Sequence, residues 1–115
     1  DCPFNITLTR KYLRNENEPE IVDLNVVCVG FGDVAFVGLP GEPFTAIGNA
    51  IKENSPFTMT IPCCNANGSA GYFPTDDALT SNGYESASSP FKPGIADNMI
   101  NTSLRTLNEL KEELK

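Results

Sequence analysis

The chain has 115 residues, 40% hydrophobic and 20% charged, the proportions of a folded globular unit rather than a disordered one. Eight basic residues against 15 acidic ones leave a net charge of −7, which argues against nucleic acid as a partner because phosphate binding needs a basic patch. No apolar run approaches the ~20 residues of a transmembrane segment, and there is no histidine, so a mechanism that needs an imidazole cannot be completed by this chain alone.

The length predicts a single domain, or a fragment of one, over residues 1–115. Phe4, Ile6 and Leu8 alternate with polar residues and predict a short strand, followed by a polar loop over residues 14–20. Residues 21–29 alternate again, with Val22, Leu24, Val26 and Cys28 on one side, and predict a second strand. Gly30-Phe31-Gly32-Asp33 supplies a turn, and the apolar run over residues 34–39 predicts the other arm of a hairpin, buried on both faces. Pro40-Gly41-Glu42-Pro43 ends that strand.

Phe44, Ile47 and Ile51 recur at helical spacing and predict a short helix that stops near Asn54-Ser55-Pro56. Residues 57–63 alternate and predict another strand, with a Gly/Asn/Ser-rich loop over residues 65–71 behind it. Thr75-Asp76-Asp77 reads as a helix start, with the threonine hydroxyl as cap and the acids complementing the dipole, and Asn82-Gly83 as its stop. Pro93 opens a last helix, on which Ile100, Leu104, Leu107 and Leu114 form an apolar stripe. The fold class is α/β: a mixed sheet with a β-hairpin, a strand–helix–strand unit and a long C-terminal amphipathic helix.

Four cysteines, Cys2, Cys28, Cys63 and Cys64, make no CxxC pair, so no zinc-ribbon or thioredoxin-like motif is present, and they read as buried free thiols. Three Asn-x-Ser/Thr sequons begin at Asn5, Asn67 and Asn101, against about two expected by chance from this composition, so they say nothing of secretion.

Sites in α/β sheets collect where strands end and loops begin. Residues 39–45 and 65–72 are two such loops, and if their strands are neighbours then Glu42 and Tyr72 face each other across one end of the sheet. Glu42 is a lone acid between two prolines. Three roles are open to it: a metal ligand or catalytic group, a cap for the helix near Phe44, or a solvent-exposed charge. Tyr72 and Tyr84 taken alone read as half-buried aromatics with bonded hydroxyls. No P-loop, GxGxxG or GxSxG motif occurs.

The ordered set Val37-Gly38-Leu39-Pro40-Gly41-Glu42-Pro43-Phe44-Thr45, Asn65-Ala66-Asn67-Gly68, Gly71-Tyr72-Phe73-Pro74-Thr75 and Gly83-Tyr84-Glu85 resembles the neutral (non-lysosomal) ceramidase family, and more closely its bacterial ceramidase-like relatives. The resemblance runs from about residue 20 to the end and implies the C-terminal part of a catalytic domain. It implies a zinc amidase that splits ceramide into a fatty acid and sphingosine. By that resemblance Glu42 and Tyr72 are zinc ligands and Tyr84 is the catalytic tyrosine that meets the reacting amide. The two histidine ligands come from outside this chain.

The chain departs from the family in two places: proline follows Glu42, and the 30 residues from Glu42 to Tyr72 are fewer than the family pattern. The resemblance further implies a lipid or N-acyl amide substrate, the rest of the catalytic domain as partner, a secreted or periplasmic setting, and self-association of the fragment through uncovered sheet. Two other readings stand beside it: a non-catalytic ceramidase-like binding or interaction domain, and a stand-alone α/β interaction module.

Overall fold

A computed structural model describes residues 2–9, 21–66, 68, 70–81 and 83–114. The polar loop expected over residues 14–20 lies outside the described residues, as do Asn67 and Ser69 of one sequon and Asn82. In chain order the elements are β1 (Cys2–Thr9), β2 (Ile21–Phe31), β3 (Val34–Gly38), β4 (Glu42–Pro43), α1 (Thr45–Asn54), β5 (Met59–Cys63), β6 (Tyr72–Phe73), α2 (Asp76–Leu79), α3 (Tyr84–Ser88) and α4 (Ile95–Glu113).

The main sheet has the order β1-β2-β3-β5 and is mixed. β1 and β2 are antiparallel, with Cys2 opposite Cys28, and β2 turns into β3 through the two residues Gly32-Asp33. β3 and β5 run parallel, joined by α1 in the strand–helix–strand crossover that parallel pairing requires. The hairpin, the crossover unit and the long last helix are all present, and the class is α/β.

One face of this sheet carries the core. Leu24, Val26 and Cys28 of β2 and Ala35 and Val37 of β3 are buried against Ile47 and Ile51 of α1 and Ile95, Met99, Leu107 and Leu110 of α4. The period-two alternation of the strands thus meets helical stripes from two helices, which is how such layers bury apolar area.

The opposite face is open. β3 was expected to be buried on both sides, but its residues alternate: Ala35 and Val37 are buried while Phe36 is exposed. Val29, Phe31 (63% exposed) and Met59 (56%) share the exposed set with Phe36, and the Phe31 and Phe36 rings lie 6.3 Å apart. An apolar run signals two covered faces only where something lies on each, and among the described residues both long helices pack on the same one.

The buried stripe of α4 also differs from the expected one. Ile95, Met99, Ser103, Thr106, Leu107 and Leu110 face the core, Ile100 and Leu104 flank it, and Leu114 at the C-cap is 47% exposed. Hydropathy misses this face because three of the helix's buried residues, Thr102, Ser103 and Thr106, are small and polar. Thr106 is accommodated by donating its hydroxyl to the carbonyl of Thr102 at 2.8 Å.

Candidate functional site

Because β3 and β5 are parallel neighbours, their C-terminal ends leave the sheet at the same edge, and their loops are laced together there. Leu39 N–H donates to the Cys63 carbonyl (2.9 Å), Ala66 N–H to Leu39 (3.1 Å), Asn65 N–H to Gly41 (2.8 Å) and Ala70 N–H to Pro40 (2.7 Å). The two chains then continue as a second, two-residue parallel ladder, β4 with β6, in the register Glu42 opposite Tyr72 and Pro43 opposite Phe73.

Local chemistry explains why this ladder forms. Its rungs use the N–H of Glu42, donated to Gly71 at 2.9 Å, and the N–H of Phe44, donated to Phe73 at 3.1 Å. The donor that Pro43 lacks falls between them, so proline costs no rung there and fixes an extended backbone. Gly41 is needed for a different reason. A Cβ at that position would stand 2.5 Å from the Gly71 oxygen and 2.6 Å from the Phe73 ring, so the two strands approach this closely only with glycine.

Opposed residues of a ladder project their side chains to the same face. Glu42 and Tyr72 accordingly line one cleft of about 510 Å³, together with Thr45, Cys64, Thr75 and Glu85 among others. Among the described residues no Lys or Arg lines it, and its two carboxylates make it a negative surface. The Glu42 carboxylate is the largest influence on the Tyr72 phenol and pushes its ionisation above the usual 10, with burial, Tyr84 and Glu85 adding to the effect.

Tyr84, the first residue of α3, packs its ring edge-on to Tyr72 with centroids 6.2 Å apart and the planes at 77°. It is 71% exposed and touches the site through Tyr72, so it is not the half-buried aromatic that its sequence alone predicts. The cap reading of Glu42 is not borne out. The N-cap of α1 is Phe44, it makes no side-chain cap, and Glu42 lies in a ladder before it. Thr75 likewise makes no cap bond, and Asp76 instead accepts from the backbone N–H of Gly94 at 2.8 Å, pinning α2 to the start of α4.

Sequence reasoning missed Glu85 and Cys64. Glu85 follows Tyr84 in the recognised signature, and Cys64 stands at the exit of β5, where the rule on strand ends could have marked it; of the expected buried thiols Cys28 is buried, Cys63 half-buried and Cys64 exposed.

Towards a metal, Glu42 and Tyr72 offer two oxygen donors. A carboxylate and a phenol directly opposite each other in a ladder are hard oxygen donors suited to a divalent cation. Among the described residues, however, no three His, Cys, Asp or Glu side chains group to hold a metal. Zinc takes three protein ligands even in open catalytic sites, so any such centre must borrow donors from elsewhere.

No protein-family model matches the sequence, and no curated protein matches it. Solved structures do. A ceramidase complexed with C2 superposes with a TM-score of 0.70 at 18% identity, and neutral ceramidase from Pseudomonas aeruginosa with a TM-score of 0.68 at 19%. The fold matches part of a neutral ceramidase. Each comparison covers 84% of this chain but 16% of the neighbour, so the chain spans about a sixth of the ceramidases it resembles. At such identities the likeness is one of fold, and it agrees with the resemblance carried by the short signatures.

Proposed function

We propose that this chain is part of a ceramidase-like zinc amide hydrolase, incomplete on its own, with Glu42 and Tyr72 as metal ligands and Tyr84 as the residue that meets the reacting amide. The observation that carries this reading is the register of the small ladder, which sets a carboxylate directly opposite a phenol on one wall of a negative cleft.

Zinc held there would supply Lewis-acid polarisation of an amide carbonyl and activation of water. The chain's own residues supply the rest. Glu42 brings a charged oxygen on a backbone that Gly41 and Pro43 hold in place. Tyr72 sheds its proton near neutral pH only with a cation at hand, because the Glu42 charge opposes a second negative oxygen beside it. Tyr84, exposed and edge-on to Tyr72, can donate its hydroxyl hydrogen to the carbonyl oxygen of an N-acyl amide. Imidazoles from outside this chain complete the ligand set. The substrate class is N-acylsphingosine, split to fatty acid and sphingosine, and the setting is secreted or periplasmic.

The test is metal analysis of the full-length protein with amidase assays on N-acylsphingosines and simpler N-acyl amines. Glu42→Ala should lower both zinc content and turnover, by more than the ~10–100-fold typical of changes one shell outside a metal. A variant that keeps stoichiometric zinc and full turnover would show that Glu42 is no ligand. A full-length protein without zinc or amidase activity would instead support a ceramidase-like fold used for binding.

A further inference from the structure

The backbone of Tyr72 is held from two sides. Towards β4, the carbonyls of Gly71 and Phe73 accept the rungs from Glu42 and Phe44. Carbonyls alternate along a strand, so that of Tyr72 points the other way, where the edge of a two-stranded ladder leaves a group without a partner. Ser89 occupies that place. Its hydroxyl donates to the Tyr72 carbonyl at 2.8 Å, and the residue is 3% exposed.

The Ser89 hydroxyl oxygen also accepts the N–H of Phe91 at 3.2 Å, and the Phe91 ring stacks on Phe73 with centroids 4.8 Å apart and planes at 18°. Residues 89–91 therefore grip both residues of β6, one through a hydroxyl and one through a ring. Ser89 is also the C-cap of α3, the five-residue helix that begins at Tyr84. One short piece of chain thus carries Tyr84 at its start and the grip on Tyr72 at its end.

We propose that Ser89 is the positioning residue that sets the Tyr72 phenol against Tyr84, tying the metal-side tyrosine to the substrate-side one. What the two phenols do rests on the function proposed above; how they are held does not. Serine suits the place because one hydroxyl must donate and accept at once within a small buried space. Alanine removes both bonds and leaves the part-buried Tyr72 carbonyl without this donor. Threonine keeps the hydroxyl.

The sequence has three tyrosines, so labelling with 3-fluorotyrosine gives three 19F resonances, assigned by Tyr→Phe substitution. In Ser89→Ala the Tyr72 and Tyr84 resonances should move together towards the position of free fluorotyrosine, while Ser89→Thr keeps them near wild type. If both stay in place in folded Ser89→Ala, the proposal is overturned. Should that variant fail to fold, Ser89→Cys decides, being similar in size with a weak donor: displaced resonances support the proposal and wild-type positions overturn it. In the full-length enzyme, Ser89→Ala should lower kcat about tenfold with KM little changed, since misplacement costs rate rather than binding. Absence of amidase activity in the wild type would overturn the functional reading and leave the fluorine result standing.

Discussion

Glu42 and Tyr72 are partners on a single rung of a parallel ladder, although 30 residues and a whole helix separate them in the chain. Their spacing is set by backbone hydrogen bonds rather than by side-chain packing. The first consequence concerns Gly41. Gly41→Ala puts a methyl group against the Gly71 oxygen, which is backbone and cannot swing aside. We expect a loss of about 1–3 kcal/mol in urea unfolding, the usual cost of overpacking. Zinc retention in the full-length protein should fall with it.

The pH dependence of stability follows from Tyr72. Its phenol ionises above the usual 10 in the folded chain, so folded protein keeps a proton that unfolded protein gives up. This contribution to stability is fully present below pH about 10 and is lost as pH rises through the folded value. Melting temperature should therefore decline above pH 10. The decline should be shallower in Glu42→Gln, which removes the largest cause of the shift, and 295 nm absorbance should show Tyr72 ionising at lower pH in that variant.

Ser103 offers a gain. Its hydroxyl is fully buried on α4 and finds no hydrogen-bond partner among the described residues. Ser103→Ala should raise stability by about 1 kcal/mol by removing an unsatisfied polar group, read as a higher denaturation midpoint with an unchanged slope.

The open sheet face predicts behaviour of the 115-residue chain in isolation. Phe31, Phe36, Val29 and Met59 form an apolar surface of the kind that drives association. Sedimentation should show concentration-dependent self-association. The double variant F31S/M59S should sediment as a monomer while keeping its melting temperature within a few degrees. A wild-type chain that stays monomeric at every concentration tested would refute this.

Much of the scaffold was legible in the residues. Alternation marked β2 and β5, and the +3/+4 spacing of Phe44, Ile47 and Ile51 marked α1, because these elements are long enough to show a period; a continuous apolar run marked β3. Phe57, placed in the strand by its alternation, instead lies in the preceding turn, where its N–H donates to the hydroxyl of Ser55. β4 and β6 were invisible because two residues carry no periodicity. α3 was missed because Asn82-Gly83 was read as the stop of one helix, whereas Gly83 is the N-cap of the next. The shared edge of Glu42 and Tyr72 followed from strand order, given the adjacency of β3 and β5, which alternation alone cannot supply. Ser89 carried no local signature that set it apart from ordinary turn residues.

The cross-link between the two loops also bears on how relatives of this chain could be found. The crossover from Phe44 through α1 to the start of β5 leaves from one side of the rung and returns to the other, so residues can be inserted or deleted in the turn between α1 and β5 without altering the distance across it. Counting positions between an acid and a tyrosine is then a poor guide to common ancestry. A search keyed to Pro-Gly-Glu on one arm and Gly-Tyr-Phe on the other, with the interval left free, follows what the architecture holds constant.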